Sequence, residues 1–150
     1  MLEKLLFAVP ALAVGAAVAL QGVVNAGLAR GLGSYVVAAA VSFWVGTASL
    51  TVLALAMGGV GPALAQGRSL GLGWWLVGGL LGASFVTTMT FIVPKIGIGA
   101  ASAFAVTGQL ITAALLDHYG FLGLPEHPLT LLRALGIGLL VVGVLLVRFY

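Results

Sequence analysis

Three side-chain amides, Gln21, Asn25 and Gln109, stand inside runs of otherwise apolar residues. Each offers two N–H donors and a carbonyl acceptor, more than its own helix backbone can satisfy. Gln21 and Asn25 are four residues apart and so share one helix face. Ser42, Gly46 and Ser49 follow a helical spacing in the next run. Ser84 and Thr88 share a face of the third, with Thr87 and Thr90 beside them. Ser102, Gln109 and Thr112 share a face of the fourth. Amides and hydroxyls so spaced can hydrogen-bond a neutral, weakly polar or aromatic solute. A serine or threonine alone is as easily explained by a bond to its own helix backbone. The candidate binding set is therefore anchored on the amides: Gln21, Asn25, Ser42, Trp44, Thr88 and Gln109.

Other chemistry is missing from these runs. There is no Ser/His/Asp set, no carboxylate pair, no HExxH and no P-loop, and the chain has no cysteine. No catalysis, metal site or cofactor is expected. No ionisable residue sits mid-run, which argues against a buried acid that trades a proton for a cation. Asp117 and His118 come closest, at the end of the fourth run. They are expected to cap a helix or contact a loop. Glu126 and His127 are expected in a solvated loop.

The elements that carry these residues follow from composition. Of 150 residues, 62% are hydrophobic and 6% charged, and the mean hydropathy is +1.27. Soluble domains carry about 25% charge, so a water-soluble fold is excluded. A pI near 9.8 reflects only a net charge of +3, too thin for nucleic-acid binding. The runs are continuously apolar rather than alternating, which excludes a β-barrel. An all-α polytopic membrane protein remains, a single integral membrane domain over residues 1–150.

A span needs about 20 apolar residues. Five are expected, over residues 5–28, 34–57, 72–93, 98–116 and 129–147. The joints between them are rich in glycine and proline, as around Gly31, Pro62, Pro94 and Gly120 to Pro128. The first run is too long for a signal peptide, and Glu3 offsets Lys4 in its would-be basic region. Trp74, Trp75, Tyr35 and Tyr150 fall at span ends, where aromatic residues anchor helices to the interface. Gly78 and Gly82, Gly15 and Ala19, and Gly136 and Gly143 are small-residue pairs suited to close helix packing. The fifth span holds no polar residue between Arg133 and Arg148. It is expected to pack or dimerise, through Gly136 and Gly143.

Orientation depends on the Lys/Arg difference between the two sides. Lys4, Arg68 and Arg133 fall on the side of the N-terminus, and Arg30, Lys95 and Arg148 on the other. The difference is 3 − 3 = 0. Some weaker feature could still select one orientation, since all three acids, Glu3, Asp117 and Glu126, fall on the first side. Alternatively the chain inserts both ways, and the two forms pair antiparallel. Such a pair would recreate the inverted repeat of many transporters. The even split and short loops favour two-way insertion.

Several stretches together resemble the YdcZ-like family. They are Leu20-Gln21-Gly22-Val23-Val24-Asn25-Ala26-Gly27-Leu28 with Arg30, Ser42-Phe43-Trp44-Val45-Gly46-Thr47, and Trp74 through Ala83. Pro94-Lys95-Ile96-Gly97, Gly108-Gln109-Leu110 and Leu116 through Gly123 extend the likeness over nearly the whole chain. The resemblance implies a five-span branch of the drug/metabolite transporter superfamily, related to the four-span small multidrug resistance exporters. Those work as antiparallel dimers, and Arg133 through Val144 is similar to their dimerising last helix. They carry a central glutamate in the first helix. Gln21 and Asn25 stand near that depth here, so a proton-for-cation mechanism does not carry over.

The expected function is small-solute transport by alternating access, in an antiparallel homodimer of the bacterial inner membrane. The expected partners are a second copy, a small-molecule solute and the lipid bilayer, with no nucleic acid. The alternatives are a non-transporting membrane subunit or scaffold and, third, a small dual-topology channel. The channel lacks a charged ring or evident filter.

Overall fold

The computed structural model describes residues 2–123 and 125–149, with side chains described from Leu6 onward. Met1, Leu124 and Tyr150 lie outside the described residues. So do the side chains of Glu3 and Lys4, and with them the anchoring expected of Tyr150. The described chain is all helical. It has five long helices, α1 (Leu2–Leu32), α2 (Tyr35–Ala56), α4 (Leu72–Ile96), α5 (Ile98–His118) and α6 (Leu131–Phe149), and one short helix, α3 (Val60–Gly67). A single 3-10 turn covers Phe121–Gly123. All five long helices are long and apolar enough to cross a membrane. In hydrocarbon a helix satisfies every interior backbone group from within its own segment, so apolar runs of this length fold this way despite their many glycines.

The ends of the helices follow local chemistry. Ser34 caps α2, its Oγ accepting from the Val37 N–H at 3.2 Å. At the far end Gly58 adopts φ +67°. Its N–H donates to Leu55 O at 3.0 Å, and that of Gly59 donates to Ala54 O at 3.2 Å. This paired pattern is a Schellman stop, which needs a residue tolerant of positive φ. Gly97, at φ +82°, is the single residue between α4 and α5.

Some helices outrun the expected spans. Gly31 does not end α1, which continues to Leu32 and breaks only before Gly33, at φ +68°. At 31 residues it rises about 46 Å, longer than a hydrocarbon core of about 30 Å. Pro94 does not end α4, which continues to Ile96. Proline has no N–H for the carbonyl four residues back, so Pro94 leaves the Thr90 carbonyl without that donor. α6 begins at Leu131, two residues later than expected, because Thr130 caps it: its Oγ1 accepts from the Arg133 N–H at 3.3 Å.

The Gly/Pro-rich joint after α2 holds a helix that the sequence pattern did not announce. Pro62 falls in the first turn of α3, where its missing N–H costs nothing. The helix ends at Gly67 beneath the indole of Trp75. A Cβ built on Gly67 would lie 2.5 Å from Trp75 Cζ2, so the ring rests directly on the α3 backbone.

The chain divides into two compact units, residues 1–95 and 96–150. In the first, α1 packs along α2, and Phe43 of α2 reaches α4 at Gly82. In the second, α5 packs along α6. Only 6% to 22% of each span's apolar window is buried, and long leucine, valine and phenylalanine side chains stand exposed on every span. Most of each helix surface is left for lipid or for a partner.

Candidate functional site

Two polar residues are buried among the described side chains, Asn25 at 2% exposure and Thr90 at 1%. Both belong to the first unit. Ser42 of α2 donates its hydroxyl proton to Asn25 Oδ1. Thr90 Oγ1 donates to Val86 O at 2.8 Å, within α4. Asn25 and Thr90 line one small cavity together with Gln21, Phe85, Val86 and Met89. The cavity holds about 10 Å³, at the lower limit for one water molecule. Residues of α1 and α4 face each other across it.

An amide at this depth is costly unless it is paired. Ser42 donates to its carbonyl oxygen, and among the described residues no fully buried side-chain nitrogen or oxygen is left without a partner. Buried Gly22 on the turn between Gln21 and Asn25 keeps that face of α1 free of side-chain bulk.

The structure thus brings together Gln21, Asn25 and Ser42 of the expected set. Trp44 is elsewhere, 75% exposed on the outer face of α2. Thr88 is exposed on α4, and Gln109 is exposed on α5 in the second unit. Thr90, expected beside Thr88 but outside the binding set, is the buried hydroxyl of α4. A usable signal was present: Pro94 lies four residues on, so Thr90 stands where the backbone itself has a free carbonyl.

The second unit holds a polar knot where α5 meets α6. Arg133 NH2 lies 2.7 Å from Asp117 Oδ2, and Arg133 NH1 donates to His127 O at 2.8 Å. The His127 N–H donates to Asp117 O at 2.8 Å. The Leu129 N–H donates to His118 Nδ1 at 3.2 Å, which fixes that nitrogen as an acceptor. Asp117 and His118 are thus loop contacts, and they bind the 119–130 loop to both helices. Among the described residues no group of acids, histidines or cysteines could hold a metal ion.

Gly136 and Gly143 line an open apolar groove of about 660 Å³ between α5 and α6, facing Ser102, Ala103 and Val106. A Cβ at either glycine would meet nothing within 4 Å.

A family model described as "Putative inner membrane exporter, YdcZ" matches residues 6–146. The match spans all five long helices. Neither the curated proteins nor the solved structures yield a match.

Proposed function

The chain belongs to the YdcZ family, and from that premise we propose that it exports a small neutral or weakly polar solute by alternating access, as an antiparallel homodimer. Its standing as an integral inner membrane protein with five apolar helices sets the frame. The observation that carries the reading is Asn25, bonded to Ser42 and lining the small cavity beside Gln21 and Thr90. A purely structural span has little use for a buried amide, because leucine would pack there at no polar cost.

A cavity of about 10 Å³ admits no solute, so on this reading it must widen to bind one. Opening requires α1 and α4 to part around Thr90, where Pro94 has already removed one backbone hydrogen bond. Trp44, Thr88 and Gln109 are exposed on their helices, so their part in binding depends on a second copy covering them. The even split of basic residues, Lys4, Arg68 and Arg133 against Arg30, Lys95 and Arg148, supports inverted pairing. The open groove at Gly136 and Gly143 offers close approach for a second α6.

The test is flux from proteoliposomes loaded with a panel of neutral aromatic amides and alcohols. The wild-type chain is expected to release at least one of them, and Gln21→Ala and Asn25→Ala each to slow that release. Unchanged flux in both variants would overturn the site. No flux of any probe from the wild-type chain would favour the non-transporting subunit.

A further inference from the structure

A second cavity of the first unit, of about 300 Å³, opens where α1 turns into α2, and Arg30, Ser34, Tyr35, Phe91 and Pro94 line it. Lys95 stands at its edge, its Nζ 4.1 Å above the centre of the Phe91 ring. Tyr35 packs against the same ring, the two centroids 5.1 Å apart. The cavity therefore has an apolar floor of two aromatic rings and a proline, with two cations at its rim.

Charge balance there is one-sided. The first unit contains a single carboxylate side chain, that of Glu3. It lies 27 positions before Arg30 on the same helix, which is about 40 Å of helix rise. Among the described residues neither Arg30 nor Lys95 has a carboxylate within ion-pair distance. The N-terminus of α2 adds to the same sign. Val37 N–H is taken by Ser34 Oγ, but the N–H groups of Tyr35 and Val36 have no acceptor within the helix. A helix N-terminus favours negative charge, and Arg30 offers a planar fork of donors suited to carboxylate or phosphate oxygens.

We propose that this vestibule binds an amphipathic anion, a phosphate or carboxylate group held by Arg30 and Lys95 with its apolar part against Tyr35, Phe91 and Pro94. The chemistry is shared by two sources, an anionic phospholipid headgroup at the membrane face and a soluble aromatic carboxylate. Lys95 is already held by the Phe91 ring, so closing on an oxyanion asks only a small movement of its ammonium. Thr90 and Ala26 also line it, so it adjoins the Asn25 node, but anion binding there does not depend on transport.

The full chain in detergent micelles is titrated with phosphatidylglycerol, phosphatidylcholine, benzoate and inorganic phosphate, and tryptophan fluorescence and thermal unfolding are followed. Phosphatidylglycerol or benzoate is expected to bind, with phosphatidylcholine silent. Arg30→Gln and Lys95→Gln should each weaken the apparent affinity about tenfold, as loss of a hydrogen bond between charged groups does. Arg30→Lys should retain part of it, and Arg68→Gln, outside the vestibule, all of it. Binding of phosphatidylglycerol alone identifies a headgroup, and binding of benzoate or phosphate identifies a solute. The proposal falls if no anion binds, if Arg30→Gln and Lys95→Gln bind like the wild type, or if Arg68→Gln loses as much as they do.

Discussion

Arg133 sits at the third residue of α6 yet reaches back to the penultimate residue of α5, its NH2 2.7 Å from Asp117 Oδ2. The same guanidinium holds His127 O at 2.8 Å, so one side chain ties both helices and the loop between them. The pair is only half buried, with 39% and 32% of the two side chains exposed, and water screens it. Asp117→Asn is therefore expected to cost about 1 kcal/mol or less. Thermal unfolding in detergent would check this, together with its salt dependence: the wild-type advantage should shrink as NaCl is raised. An advantage untouched by salt would mean that the pair contributes by shape rather than by charge.

The Asn25–Ser42 bond makes a different prediction, because it is neutral and its Asn25 end is buried. Ser42→Ala leaves the Asn25 amide with an unmet acceptor, and hydrogen bonds between membrane helices contribute about 0.6–1.7 kcal/mol. Ser42→Ala should destabilise the protein by about 1 kcal/mol, and Asn25→Leu by less, since it removes the whole amide and the Ser42 hydroxyl left behind can turn to a carbonyl of its own helix. Unfolding in a denaturing detergent mixture distinguishes the two. An equal loss in both variants would show that packing volume, rather than polarity, dominates the node.

Trp75 over Gly67 supplies a steric test. Gly67→Val places atoms where the indole lies, since even a Cβ would fall 2.5 Å from the ring. Backbone on one side and a bulky ring on the other leave little room to give. The variant should displace Trp75 and shift the tryptophan emission. Gly78→Ala, which meets nothing within 4 Å, should leave it unchanged. The same contact decides where a label can go: a cysteine at Gly67 would disturb α3, whereas exposed Ser69 is free to take one.

The five spans were legible because apolar length is a strong signal and a lipid surround removes most competing folds. Their ends were less so. Gly31 and Pro94 read as stops, but helices in lipid pass such residues when no water competes for the backbone, and the breaks next to them fall at Gly33 and Gly97, both at positive φ. α3 was hidden because it is only eight residues long and its glycines and Pro62 read as breakers. Of the binding set, the spacing of Gln21 and Asn25 placed both at the node. It could not rank Thr88 against Thr90, because on so apolar a helix the buried face is set by neighbouring helices rather than by the sequence's own polarity. Arg30, Tyr35 and Lys95 looked like separate interfacial residues. Their convergence on one cavity depends on the turn at Gly33 and Ser34, which composition does not reveal.

Two-way insertion yields a prediction that turns on single charges. The chain has no cysteine, so single cysteines at Ser69 and at Gly31 report opposite faces of the first unit's spans. A Cβ at Gly31 meets nothing within 4 Å, and Ser69 is exposed. With three basic residues on each side, each cysteine should be labelled by an impermeant reagent in about half of the molecules. The orientation rule counts lysine and arginine near span ends, so one added charge should tip a balanced chain. Ser69→Arg, combined with the Gly31 cysteine, should move that cysteine towards the periplasmic face. Gly31→Arg, combined with the Ser69 cysteine, should do the reverse. If the homodimer is antiparallel, either variant alone should lose flux. Co-expression of the two, which supplies both orientations again, should restore it. A wild-type chain labelled from one side only, with flux intact in both variants, would mean that the zero charge bias is coincidental and that the chain works in one orientation.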